Sequence, residues 1–325
     1  MQPKVSMIIP AYNAAKHLRI MLDSIYAQTY PNIEVIVAYD VKSTDTTLQI
    51  LREYQTEKSL IIDEGKDNSS GQARNRGIKL ATGDFIIFVD ADDIMIPSYI
   101  SDMMKIFIQH PELEVVGSGR LISSEGEREQ NYNRAIHSDA KVEIYSSEKA
   151  QQMMLNQGRI LSGGPWTWLV RRDYLQRYNI QFPNYSYGDD VYYVWSIISN
   201  TDKIGFSHRK GYIWILHPSS LLNSISSVQE RYNKFSKSRE DILKLLSWAN
   251  PELCSKYNAA QWRIFAFDLA KTNTTYADFR EILRRNDIKY LSCMPFDSMM
   301  NRLGTYCFNV SIFMFWMIVH FVYHK

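Results

Sequence analysis

Apolar residues in this chain gather first into short dense runs. VSMII from Val5, interrupted only by Ser6, and FIIFV from Phe85 are too short for helices and too apolar for strands with one wet face. Both fit strands of a parallel sheet covered on two sides. Between them, Leu18, Met21, Leu22 and Ile25, and then Leu48, Leu51 and Tyr54, recur at helical spacing. The pattern predicts a strand over Val5–Ile9 ended by Pro10, then a helix capped by Asn13. A second strand over Ile33–Val37 follows, with Asp40 just past its end, and Ser43-Thr44-Asp45 opens the next helix. A third strand over Leu60–Ile62 and a helix over Gly71–Leu80 lead to the Phe85–Val89 strand. Strand–helix alternation with short connections predicts a doubly wound, mostly parallel α/β sheet.

In such a sheet the carboxyl ends of the strands share one rim, where ligands bind. That rim receives Pro10, Ala11 and Tyr12, then Asp40, then Asp90, Asp92 and Asp93. Three carboxylates within four positions suit a hard divalent cation such as Mg²⁺ or Mn²⁺, which brings phosphates with it. A single Asp there would signify only a turn or a helix cap. In GQARNRG, Arg74 is expected to face the cleft, where its planar fork of donors matches phosphate oxygens, and Arg76 to face solvent.

Further along, the polar and irregular stretch 119–140 reads as a loop or edge excursion, and Ser147–Gln157 as a helix. Trp166 and Trp168 are either core packing or a stacking wall for a bound ring. Asp189 and Asp190 precede Val191, Val194, Trp195 and Ile198 at helical spacing, so both acids sit at a helix N-terminus, where capping accounts for one of them. His217, a lone His in a loop, reads as a surface or structural residue.

Composition adds the rest. The net charge of +2 does not by itself point to nucleic acid, and no such partner is expected. Charge is uneven, with twelve Lys and Arg against seven Asp and Glu over residues 231–290. These basic, aromatic-rich segments read as helices. From Tyr306 to Tyr323 the one titratable cation is His320, over a length at the lower edge of the roughly 17–25 residues that cross a bilayer. A buried core helix is one reading. A membrane-embedded or interface-lying anchor is preferred, helped by the basic segment before it. Cys254, Cys293 and Cys307 lack metal-ligand spacing and read as free thiols of a reducing compartment. The apolar run at the N-terminus is too short for a secretory signal.

The order of VSMIIPAYN, a second strand ending in an Asp before Ser-Thr-Asp, GQARNRG, ATGDFIIFVDADD and YGDDVYYVW resembles the family 2 glycosyltransferases, over residues 4 to about 217. The resemblance implies the nucleotide-sugar-binding GT-A fold over residues 1–222. It divides these into a nucleotide-sugar half, 1–118, and an acceptor half, 119–222. A helical basic extension, 223–304, and a membrane-associating helix, 305–325, would follow. It implies that Pro10, Ala11 and Tyr12 shape the nucleotide pocket, Asp40 meets the base, and Arg74 meets base or phosphate. Asp90, with Ala91, reaches the ribose, and Asp92 holds Mn²⁺ or Mg²⁺ on the diphosphate, with His217 as a second approach to the metal. Trp166, Trp168 and Asp189 fall on the acceptor side, and Asp190 matches the catalytic base. One departure is Asp40-Val41-Lys42-Ser43, where the family has Asp-Asp-Gly-Ser. The expected function is inverting transfer of a sugar, most simply from a UDP-sugar, to a glycan or lipid-linked glycan. The expected location is the cytoplasmic face of a bacterial membrane. A sugar nucleotidyltransferase and a silent glycan-binding membrane subunit are the rivals. The first does not need Asp190, and retention of Asp40, Asp90, Asp92 and Asp190 together speaks against the second.

Overall fold

The computed structural model describes residues 2–155, 163–185, 187–217, 228–247, 251–270, 275–285, 308–309 and 311–323. Cys293, Cys307, Gly304 and the last two residues of the expected Ser147–Gln157 helix lie outside them. The chain forms two compact units, residues 1–154 with 160–224, and residues 155–159 with 225–325.

The first unit is built on one sheet. Its strands are β1 (Val5–Ala11), β2 (Ile33–Asp40), β3 (Leu60–Gly65), β4 (Phe85–Phe88), β5 (Ile94–Met95), β6 (Val115–Ser124), β7 (Val142–Ser146), β8 (Trp168–Arg171) and β9 (Lys203–Leu216). The helices are α1 (Ala15–Tyr26), α2 (Thr47–Glu57), α3 (Ser70–Leu80), α4 (Tyr99–Gln109), α5 (Arg128–Ile136), α6 (Ser147–Leu155), α7 (Arg172–Arg177) and α8 (Asp189–Ser199). Strand order is β3-β2-β1-β4-β8-β6-β9-β5, with β7 also on β9. Strands β3, β2, β1 and β4 are mutually parallel, as the alternation predicts, and the sheet's second half is mixed.

Both faces of the parallel half are covered because successive residues of β1 point opposite ways. Val5, Met7 and Ile9 join Leu18, Met21 and Leu22 of α1 in the core. Ile8 faces the other side, where Gly77 of α3 lies so close that a Cβ would overlap its side chain. A methyl at Gly77 would push α3 off the sheet.

The strand expected to stop at Pro10 runs on to Ala11, with Pro10 opposite Ala38. The Ile8 carbonyl accepts from Val89 N–H, so Pro10, two residues on, faces the side β4 has already left. Its missing N–H therefore removes no ladder bond. Asn13 does not cap α1. It takes φ 47°, a left-handed turn that Asn tolerates, and Ala14 is the cap residue. Asp45 takes over that role for two helices, its Oδ2 accepting from Ala15 N–H and its Oδ1 from Thr47 N–H, each at 3.0 Å.

The stretch 119–140 is not a loop. Its first residues complete β6, parallel to β9 from Val116 to Ser124, and α5 follows. A shift of register between Ser118 and Arg120 breaks the alternation that a sequence pattern would show. Pairing with a strand some ninety residues later decides the conformation here, and local composition does not.

The second unit is helical: α9 (Val228–Ser247), α10 (Pro251–Ala270), α11 (Tyr276–Arg285) and α12 (Ile312–Tyr323). On α12, Phe315 is buried against Phe279 of α11 and against Phe308, while Phe313 and Met314 are exposed. The apolar C-terminus thus has a packed face and an open one. Among the described residues, no helix is long and apolar enough to cross a membrane.

Candidate active site

Register fixes the rim. Ala11 stands beside Tyr39, Asp40 beside Gly65, and Ile8 beside Phe88, so the residues leaving β1, β2 and β4 emerge together. At Asp40 the carboxylate accepts from Lys42 N–H at 2.9 Å and is nearly buried. The Lys42 ammonium is drawn aside to the Asp67 carbonyl and Asn68, which removes it from Asp40. Tyr12 is exposed at the mouth, with Pro10 and Ala91 partly covered.

Arg74 is the centre of the site. Its guanidinium is buried, with Nη2 2.7 Å from Asp90 and Nη1 2.6 Å from Asp190. Burial opposes its charge, but Asp190, Asp90 and Asp189 outweigh it, and its pKa stands above the ordinary arginine value. Three carboxylates thus surround this one cation, two of them bonded to it. Desolvation is the largest influence on Asp190 and pushes its carboxyl up to about 7, with Arg74 pulling down and Asp189 and Asp90 pushing up. An acid near 7 is matched to taking a proton at neutral pH.

Arg76, expected in solvent, is instead a brace. It pairs with Asp63 and with Asp67 at 2.8 Å, donates to the Tyr39 carbonyl, and lies across Gly65, where a Cβ would overlap it.

The acids after β4 divide into two roles. Asp93 is fully buried, accepting from Ile215 N–H at 2.8 Å and from the Tyr212 hydroxyl at 2.7 Å. Burial first, then Asp90 and Asp92, raises its pKa well above the carboxylate range. It is therefore a strut between the β4 end and β9, not a third rim ligand. The Tyr212 hydroxyl in turn accepts from Asp90 N–H.

Asp92 is 48% exposed, and its Oδ2 lies 3.7 Å from His217 Nε2. Desolvation and then Asp90 push Asp92 up to about 6, with His217 pulling down. His217 Nε2 is buried and has no hydrogen-bond partner. An orphan nitrogen facing a carboxylate oxygen, both short of positive charge, fits a divalent cation that accepts N and O ligands.

Two expectations on the acceptor side change. Trp168 is fully buried in β8 over Gly117, and Trp166 is 5% exposed, stacked on Tyr212 at 4.6 Å. Trp168 is in the core because β8 lies between β4 and β6, and Trp166, in the short turn before β8, because it stacks on Tyr212; neither offers a ring face to a sugar. Trp166 supports Tyr212, and through it Asp90 and Asp93, from behind. Asp189 is also buried, turned toward Gly71, and its Oδ2 has no hydrogen-bond partner. Gly188, at φ 76°, turns the chain into α8 and leaves Asp190 partly open. Sequence reasoning missed Tyr212 and Glu125 altogether. Neither stands in a patterned motif, and only strand pairing brings them here.

The sequence profile described as Glycosyl transferase family 2 matches residues 6–178. A Bacillus subtilis protein named as a glycosyltransferase, EpsH, is 25% identical over 71% of this chain and 64% of its own length. TarS of Staphylococcus aureus, a poly(ribitol-phosphate) beta-N-acetylglucosaminyltransferase, is 28% identical over 65% of this chain and 35% of its own length. The crystal structure of a TarS fragment with UDP-GlcNAc superposes with a TM-score of 0.67, at 19% identity, over 99% of this chain and 91% of that one. A mannosyltransferase from Pyrobaculum calidifontis, solved with GDP-Man and Mn²⁺, gives 0.53 at 15% identity, over 99% and 87%. The fold is the one these structures share.

Proposed function

The chain belongs to Glycosyl transferase family 2, and we propose that it is an inverting enzyme moving a sugar from a nucleoside diphosphate donor to a hydroxyl group. The observation that carries this is the meeting of Asp90 and Asp190 on the buried Arg74, beside an Asp92 that faces the orphan nitrogen of His217.

Asp40 and the Pro10–Tyr12 segment take the base and Asp90 the ribose, with Arg74 holding the floor of the pocket. Asp92 and His217 are the residues that would hold Mn²⁺ or Mg²⁺, which when bound would offset the charge of the diphosphate leaving group. Asp190 accepts the proton of the acceptor hydroxyl as that oxygen attacks the anomeric carbon from the face opposite the diphosphate. Most of the rate then comes from holding the two reactants in line and from fixed charges aimed at the leaving group.

For the donor, a UDP-sugar is the first choice, because TarS was crystallised with UDP-GlcNAc. For the acceptor, the proposal is a glycan or lipid-linked glycan of a bacterial surface polymer, met at the cytoplasmic face of the membrane. The open face of α12 and the basic composition of residues 231–290 support an interfacial role for the C-terminus.

Turnover of a panel of UDP- and GDP-sugars, with Mn²⁺, with Mg²⁺ and with chelator, tests this reading. Metal-dependent release of the nucleotide, lost in Asp92→Asn, is expected. Full turnover in chelator would overturn the assignment of Asp92.

A further inference from the structure

Strands β6 and β9 run parallel with Ser124 opposite Leu216, so the next residues, Glu125 and His217, emerge side by side. Glu125 opens a turn that Ser124 and Glu127 close with a reciprocal capping box, which fixes its place although it is 45% exposed. His217 Nδ1 lies 3.1 Å from Glu125 Oε1. A carboxylate only accepts, so the ring donates from Nδ1, and in the neutral imidazole Nε2 keeps its lone pair. That nitrogen is the buried orphan facing Asp92 Oδ2 across 3.7 Å. In this tautomer both facing atoms are acceptors, and two acceptors do not bond to one another. A cation between them would satisfy both.

The surroundings hold the arrangement. The His17 ring, from α1, packs on the His217 ring with centroids 4.1 Å apart, and its Nε2 lies 3.5 Å from the same Glu125 oxygen. Lys16 Nζ reaches that oxygen at 2.7 Å as well. The strut from Asp93 to Ile215 N–H sets how far the end of β9 stands from Asp92.

We propose that Glu125 is a positioning residue, fixing the tautomer and aim of His217 so that Nε2 and Asp92 together present one nitrogen and one oxygen to the divalent cation of the donor complex. This rests on the reading of Asp92 and His217 as that cation's ligands. A carboxylate on the far nitrogen of a metal-binding imidazole orients the ring and raises its basicity. The mixed donor set also favours Mn²⁺ over Mg²⁺, since imidazole suits transition metals better than hard alkaline-earth ions.

The test measures Mn²⁺ affinity, alone and with UDP, for the wild type, Glu125→Ala, Glu125→Gln, His217→Ala and Asp92→Asn. The His217 tautomer is read by ¹⁵N NMR without metal. The wild type should show His217 protonated on Nδ1. Glu125→Ala should weaken Mn²⁺ binding by about 10- to 100-fold and mix the tautomers. Glu125→Gln, whose carbonyl still accepts, should retain most of the affinity. In a His217→Ala background, Glu125→Ala should add nothing further. An Nε2–H tautomer in the wild type would overturn the proposal. So would wild-type Mn²⁺ binding by Glu125→Ala when His217→Ala is impaired. Normal binding by both His217→Ala and Asp92→Asn would instead sink the reading of the metal site itself.

Discussion

Arg74 and Asp190 are 116 residues apart in the chain and 2.6 Å apart in the structure. The pair joins the helix after β3 to the N-terminus of α8, and Asp90 completes it from the end of β4. One buried guanidinium thereby holds Asp190, the proposed base, and Asp90, the proposed ribose ligand, in fixed relation. Replacing Asp190 by Asn keeps the shape but removes the proton acceptor. Turnover should fall by about two orders of magnitude or more, with nucleotide affinity nearly unchanged in a binding titration. Arg74→Gln should instead lower the melting temperature, because three carboxylates then face one another without a counter-charge.

The pH dependence follows from the raised Asp190. Below about 7 the carboxyl carries a proton and cannot take another, so kcat/KM should fall as pH drops through about 7. The limb should be absent from whatever activity Asp190→Asn retains. The effect on stability has the opposite sign. An acid whose pKa is higher folded than unfolded binds its proton better in the native state, so its contribution declines as pH rises from about 4 toward 7. Urea denaturation should find Asp190→Asn gaining relative to the wild type at pH 8, and not at pH 4.

Asp93 should matter to the fold, as a strut. Asp93→Ala leaves the buried Ile215 N–H and the Tyr212 hydroxyl without their acceptor. A loss of about 1–3 kcal/mol for each unsatisfied group is expected in equilibrium unfolding. A variant as stable as the wild type would remove the strut role.

Asp45 links α1 and α2 through their first backbone donors. Burial opposes its charge, but hydrogen bonds from Thr47 and Ala15 win, and its pKa is lowered. A lowered acid stabilises above its unfolded pKa and loses that contribution as pH falls toward its folded one. Asp45→Ala should therefore destabilise by about 1–2 kcal/mol at pH 7, and by progressively less on acidification below about pH 4.

The two faces of α12 should separate under mutation. Phe315→Ala opens a cavity beside Phe279 and should cost about 3–5 kcal/mol of the helical unit's stability, read in its melting curve. The double variant Phe313→Ser, Met314→Ser touches the exposed face and also removes the edge-on contact of Phe313 with Tyr276. It should reduce co-sedimentation with anionic vesicles with only a modest change in melting temperature. Vesicle binding unaffected by the double variant would remove α12 as a membrane contact.

The strands β1, β2 and β4 and the helices between them were legible in the sequence because their cores are local in pattern: uniform apolar runs and helical spacing survive any tertiary arrangement. The rim acids followed, since topology alone puts the ends of parallel strands together. What the sequence left open depends on partners distant in the chain. The second half of β6 is a strand because β9 pairs with it, and Arg76 is a brace because Asp63 and Asp67 come to it. Asp93 is a strut because Tyr212 and Ile215 N–H reach it, which no spacing of acids distinguishes from Asp92 next door. Trp168 is core because β8 lies between β4 and β6. Glu125 and His217 are neighbours only through the register of two parallel strands, which is a property of the folded sheet and leaves no periodic trace in either segment.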